Sequence, residues 1–234
     1  MLLMLAPGIG GAFVPGQVKI GLTVLIAFAL FPSVAIPPGN GNALVTAIVA
    51  REVIIGLSLA FAVRALIAGA EFAGHLSGFQ IGFSYGATID PQNGVQNTML
   101  ATLYGMLATL GFLAINGHHL LLRALATSYA GLPIGMGGLN GTLLGTVRDI
   151  MALVFVVGAR LAAPIVIVLL VVEVAVGLIS RTSPSLNFMI IGYPVRLIIG
   201  LVVLGALVGT IPAVTNALTE SAVMLGMRTA AIFR

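Results

Sequence analysis

Polar positions are sparse along this chain, and they divide it into a few long apolar runs. Pro15 is suited to open a helix, because its missing N–H is harmless in a first turn. The apolar stretch Ile20 to Phe31 follows and is closed by Pro32 and Pro37-Pro38. Asn42 can cap the next segment, a helix predicted from Ala43 to about Phe83. It is far longer than one membrane crossing requires, and Arg51, Glu52, Arg64 and Glu71 interrupt it. Val95 to Ile115 reads as a second long apolar helix. It meets Asn116-Gly117-His118-His119 and resumes through Tyr129. Gly131 to Gly141 is a glycine-rich loop. A further helix is expected from about Thr142 to near Arg181, carrying Arg148-Asp149, Arg160, Pro164 and Glu173. Ser183-Pro184 reads as a turn, and Phe188 to Pro194 as a break. Val195 to Ile211 is again apolar, and Pro212 kinks or splits it before a last helix from Ala213 to about Arg228. Hydrophobicity alone gives an all-α protein with five or six spans.

One stretch departs from that pattern. Gly74, Gly78, Gly82 and Gly86 recur every fourth residue, so on a helix they form one bare ridge. Glycine costs a helix interior about 1 kcal/mol relative to Ala, and a close backbone approach by another helix is the usual compensation in a membrane. Thr88-Ile89-Asp90-Pro91-Gln92-Asn93-Gly94 comes next. Pro91 drives Asp90 out of helical geometry, and Asn93-Gly94 favours a turn. Irregular backbone inside so apolar a chain survives only where protein covers it or water reaches it. The sequence thus places a pore or site feature between Ala70 and Gly94.

Composition narrows the class. Of 234 residues 59% are hydrophobic and 7% charged, whereas soluble domains carry about 25% charged residues; the chain reads as an integral membrane protein. Cysteine is absent, so no disulfide framework or thiolate metal site is available. The formal charge of +4 rests on scattered arginines, with Lys19 the sole lysine, which speaks against a nucleic-acid face. Basic residues fall within helices as often as between them, so they assign no orientation. Met1 to Ala6 is too short to span and has no charged leader, and the chain is expected to begin partway through a first helix. Val14-Pro15…Lys19 and Tyr193-Pro194…Gly200 echo each other too briefly for an inverted repeat.

Chemistry is thinly represented. Glu71 and His75 stand four apart and His118-His119 lie elsewhere, but no His-Glu-x-x-His exists. Neither a Gly-x-Ser-x-Gly elbow nor a phosphate loop is present, and no enzyme, metal or cofactor is expected. Adjacent Arg51-Glu52 and Arg148-Asp149 are expected to diverge on a helix and pair with different helices. Asp90, borne by a loop before proline, suits an Asx turn.

Several ordered motifs carry a resemblance. Gly69-Ala70-Glu71…Gly74…Gly78-Phe79-Gln80-Ile81-Gly82-Phe83-Ser84, then Asp90-Pro91, is similar to the central motif of the FliR/SctT family of type III secretion export-gate proteins. Phe112-Leu113…Asn116-Gly117-His118, Ser128-Tyr129, Leu132-Pro133-Ile134-Gly135 and Gly177-Leu178-Ile179-Ser180-Arg181…Pro194-Val195-Arg196 follow in that family's order. Ser180 and Tyr193 stand where Asn and Phe are common. The Ile191-Gly192-Tyr193-Pro194 segment suits the flagellar branch.

The resemblance implies long kinked helical hairpins packed in a helical export gate, with FliP- and FliQ-like subunits as partners and FlhB- and FlhA-like components nearby. It implies unfolded protein substrates and a place in the bacterial inner membrane, at the flagellar basal body. It further implies a FliP-like part at 1–130, a part at 131–234 containing a FliQ-like hairpin, and a plug at 83–94. On this reading Ile81, Phe83, Tyr85 and Ile89 form an apolar seal that dewets the channel. Gly82 and Gly86 supply hinge freedom beside Asp90 and Pro91, and Gly74 and Gly78 pack the helix. Arg64, Glu71, Glu173 and Arg181 join subunits. The competing readings are a secondary transporter with a broken-helix site near Asp90 and Asn93, and a membrane scaffold without a pore.

Overall fold

A computed structural model of the chain describes residues 2, 6–8, 10, 14–33, 42–83, 99–131, 143–182 and 188–232. Seven long helices make up the described residues: α1 (Gly16–Leu30), α2 (Asn42–Ile81), α3 (Met99–Ala114), α4 (Gly117–Gly131), α5 (Leu143–Thr182), α6 (Phe188–Leu207) and α7 (Thr210–Ile232). A 3-10 turn at Phe31–Ser33 closes α1 at Pro32.

Forty residues each, α2 and α5 would reach about 60 Å at 1.5 Å per residue, twice the ~30 Å hydrocarbon layer. Their surroundings differ. In α2, 61% of the most apolar window is buried within the chain, against 17% in α5. Helix α2 is therefore the axle. It packs against α3, α5 and α7, and α3 and α5 also touch α7. The main core draws on all four helices, with Leu66 and Ile67 of α2 against Tyr104, Ile165 and Ile211. A second cluster gathers Leu2 and Ala6 with Ile55, Leu59, Phe112 and Leu121. Leu22 and Ile26 of α1 reach this cluster, yet α1 buries no residue fully and leaves Leu25 and Phe28 67% and 80% exposed.

By length and composition, two described helices can cross a membrane, or four if each bent pair is one crossing. The five or six spans expected from hydrophobicity merge because neighbouring runs are joined by bends. Helices α3 and α4 meet at 64° around Asn116, whose φ of 57° lies in the left-handed region that Asn tolerates best among non-glycine residues. Helices α6 and α7 meet at 52°.

Three sequence expectations are corrected here. The break at Phe188 to Pro194 is instead helix, and α6 carries Pro194 inside it. One proline removes one donor, which neighbouring helices and local adjustment can offset in an apolar setting. The real break lies at Val208-Gly209, after which α7 begins at Thr210 and takes Pro212 into its first turn, where no N–H is needed. Lastly, Arg148 and Asp149 do not diverge: Nη2 and Oδ1 stand 3.3 Å apart. Both side chains are exposed, and the long Arg148 folds back to reach its neighbour.

Candidate functional site: the end of the central helix

The glycine ridge divides into a seam and a stop. A side chain at Gly74 would meet the Ala101 Cα at 2.5 Å and the Leu100 carbonyl oxygen at 2.6 Å, so α3 lies backbone-on-backbone against α2. The seam is two-sided. On α3, Gly105 leaves room for Glu71, whose Cγ would stand 2.8 Å from an added Cβ, and Ala101 and Ala108 are buried beside it. Gly69 does the same on the opposite flank, where an added Cβ would meet Val157 Cβ at 2.7 Å and the Val154 carbonyl at 2.9 Å. Gly158 of α5 lies next to it, against Phe72. Ala101, Gly105 and Gly158 were not singled out in the sequence. The spacing of small residues four apart at 101 and 105 was the available signal.

Gly78 is buried within α2, but Gly82 does not extend the helical ridge. Its φ of +104° is a conformation that L side chains rarely adopt. Its N–H donates to the Phe79 carbonyl at 3.1 Å, and the Phe83 N–H donates to the Gly78 carbonyl at 2.9 Å. This pair of bonds is the Schellman motif, which ends a helix by satisfying its last carbonyls. Gly82 is the stop that turns the chain out of α2.

The residues assigned to the seal separate at this point. Ile81 is fully buried and fits against Gly200 of α6, where an added Cβ would lie 2.7 Å from Ile81 Cγ1. Its side chain anchors the helix end to the chain's own core. Phe83, two residues later, is 43% exposed. Tyr85, Gly86, Ile89, Asp90 and Pro91 lie outside the described residues, as does most of the 83–94 segment.

A polar clamp holds the same helix end. Gln80 Nε2 donates to Glu173 Oε1 at 3.3 Å, and Arg196 Nη2 reaches that oxygen at 2.8 Å. Both charged side chains are half-buried, at 37% and 22% exposure, where an ion pair is less screened than at the surface. Glu173 lies nine residues before the end of α5 and Arg196 eight residues after the start of α6, so the pair also fixes the register of these two helices. Tyr104, fully buried, faces the fully buried Ser77 one turn before Gln80.

Of the charges expected to join subunits, Arg64 and Glu71 stand on one helix with Nη2 and Oε1 3.4 Å apart. Glu173 meets Arg196 rather than Arg181, and Arg181 is exposed at the end of α5. Glu52 accepts a hydrogen bond from the Tyr129 hydroxyl at 3.0 Å, tying α4 to α2. The rings of His118 and His119 lie with centroids 4.3 Å apart and tilted at 47°, and among the described residues no three His, Asp or Glu side chains gather for a metal. Among the described residues the arrangement offers packing, a helix stop and a latch.

Comparison with known proteins agrees with that character. Residues 1–222 match the family described as "Bacterial export proteins, family 1". The flagellar biosynthetic protein FliR of Escherichia coli K12 is 34% identical over 209 residues, covering 88% of this chain and 79% of that protein. This chain belongs to the FliR family. The FliR of Pectobacterium carotovorum is 30% identical over 215 residues, covering 90% of this chain and 81% of its own length. That of Bacillus subtilis is 28% identical over 204 residues, covering 85% and 78%. The family match spans both sides of residues 131–141, so it takes in the seam, the stop and the clamp together.

Proposed function

We propose that this chain is the FliR-type subunit of a flagellar type III protein export gate, and that its central helix delivers a plug to the conduit. As a FliR-family member it is a component of flagellar export machinery in the membrane and not an enzyme. In the finer reading it joins FliP- and FliQ-like subunits, with FlhB- and FlhA-like components alongside, in a pore for unfolded flagellar substrates at the inner membrane. Residues 1–130 form the FliP-like part and 131–234 the part with the FliQ-like hairpin, which would be α5 and α6.

The observation that carries the reading is the abrupt Gly82 stop on the most enclosed helix of the chain. A helix gripped by three others is a rigid arm, and a fixed arm ending in exposed Phe83 suits the placement of a short closure segment. Phe83, Tyr85 and Ile89 are the lip of the seal in this proposal, with Ile81 as its anchor. Exposed apolar faces on α1 and α5 supply surface for partner helices and lipid. Co-expression with FliP- and FliQ-like proteins, followed by detergent extraction and gel filtration, tests the assembly. A stable three-component peak supports it, and elution of this chain alone contradicts it.

A further inference from the structure

Helix α5 exposes large apolar side chains along most of its length, with Val147, Met151 and Phe155 on one side early in it and Ile167, Val171 and Leu178 on another side later. From Val147 to Leu178 the exposed apolar surface runs about 47 Å at 1.5 Å per residue, while hydrocarbon covers only ~30 Å. Lipid cannot cover all of it. The purest apolar run, Leu161 to Val172, belongs to the half that lipid suits best, which leaves the half before it for protein.

Arg160 stands at the junction of those halves. It is exposed, with Phe155 and Val156 before it 62% and 42% exposed and Ile167 after it 61% exposed. Among the described residues it meets no carboxylate. An arginine amid apolar surface is costly unless it is paired. Ala152 and Ala159, also exposed, leave the backbone open to a close neighbour.

We propose that the face of α5 formed by Ala152, Phe155, Val156 and Ala159, with Arg160 at its edge, docks a helix of a neighbouring subunit, and that this helix bears a carboxylate opposite the Arg160 guanidinium. The inference rests on the assembly reading and goes beyond it by naming the contact and its chemistry. A zero-length cross-link tests it, since Lys19 is the only native lysine and Lys19→Arg removes it. In the co-purified complex, Arg160→Lys treated with a carbodiimide is expected to form an amide with a neighbouring subunit's Asp or Glu. The parent chain with Arg160 gives no such product. Arg160→Glu, which sets like charges together, should lower the co-eluting partner roughly tenfold. Assembly without an adduct overturns the proposal, as does an adduct to a carboxylate of this chain, to a second copy or to phosphatidylserine. If the unaltered chain assembles with no partner, the assembly reading falls and takes this contact with it.

Discussion

Single atoms decide the behaviour of Gly74 and Gly82, and for opposite reasons. Gly74 is needed for space: any side chain enters the Ala101 backbone, which neither rotates nor yields. Gly74→Leu should therefore separate α2 from α3 and destabilise the chain by 1–3 kcal/mol or more, about the range for overpacked cores. Gly82 is needed for its φ of +104°. Gly82→Ala should cost roughly 1–2 kcal/mol, the penalty for a Cβ in left-handed backbone, and release Phe83 from its bond to Gly78. Thermal unfolding of the purified chain in detergent reads both. Unchanged melting of Gly74→Leu would mean that the seam is not there. The four-residue glycine period was legible in the sequence, but its change of role at Gly82 was not. Periodicity reports which residues share a face and carries no signal for where hydrogen bonding passes to a Schellman cap.

At the scale of elements, the α5–α6 hairpin latches the end of α2 through two different contacts. One is the insertion of Ile81 against Gly200, and the other is the Gln80, Glu173 and Arg196 cluster. A charge exchange isolates the second. Glu173→Arg and Arg196→Glu alone should each destabilise the chain, and together they should recover stability, with a coupling on the order of 1 kcal/mol in a double-mutant cycle. Additive losses would show that the pair does not hold the hairpin. Long helices were legible from apolar runs, and α1, α2, α3 and α5 begin or end within a few residues of expectation. The Glu173 partner was not, because Arg196 lies across a turn in a different helix and sequence spacing ranks only same-helix neighbours. Pro194 misled for a related reason. Proline reads as a breaker in water, whereas here α6 continues through it in apolar surroundings and breaks at Val208-Gly209 instead.

For the whole molecule, what matters is how much of an apolar chain it leaves uncovered. The core accounts for α2 and its contacts, and the exposed faces of α1, α5 and α6 await lipid or other subunits. The motifs before and after the glycine-rich loop were legible as FliR/SctT-like, and the family match over residues 1–222 agrees with them. Which exposed surface meets lipid and which meets protein was not legible, since a sequence lists a charge such as Arg160 without showing what it faces. An enclosed arm that ends in an exposed aromatic, next to a polar segment, is the arrangement on which the gating account rests. Deleting residues 85–94 in the complex and measuring ion flux through reconstituted liposomes tests that account most directly. The account predicts that the deletion makes intact, assembled complexes leaky while the undeleted complex stays closed. Equal, closed behaviour of both would show that the segment is scaffolding, and the gate would have to be sought elsewhere.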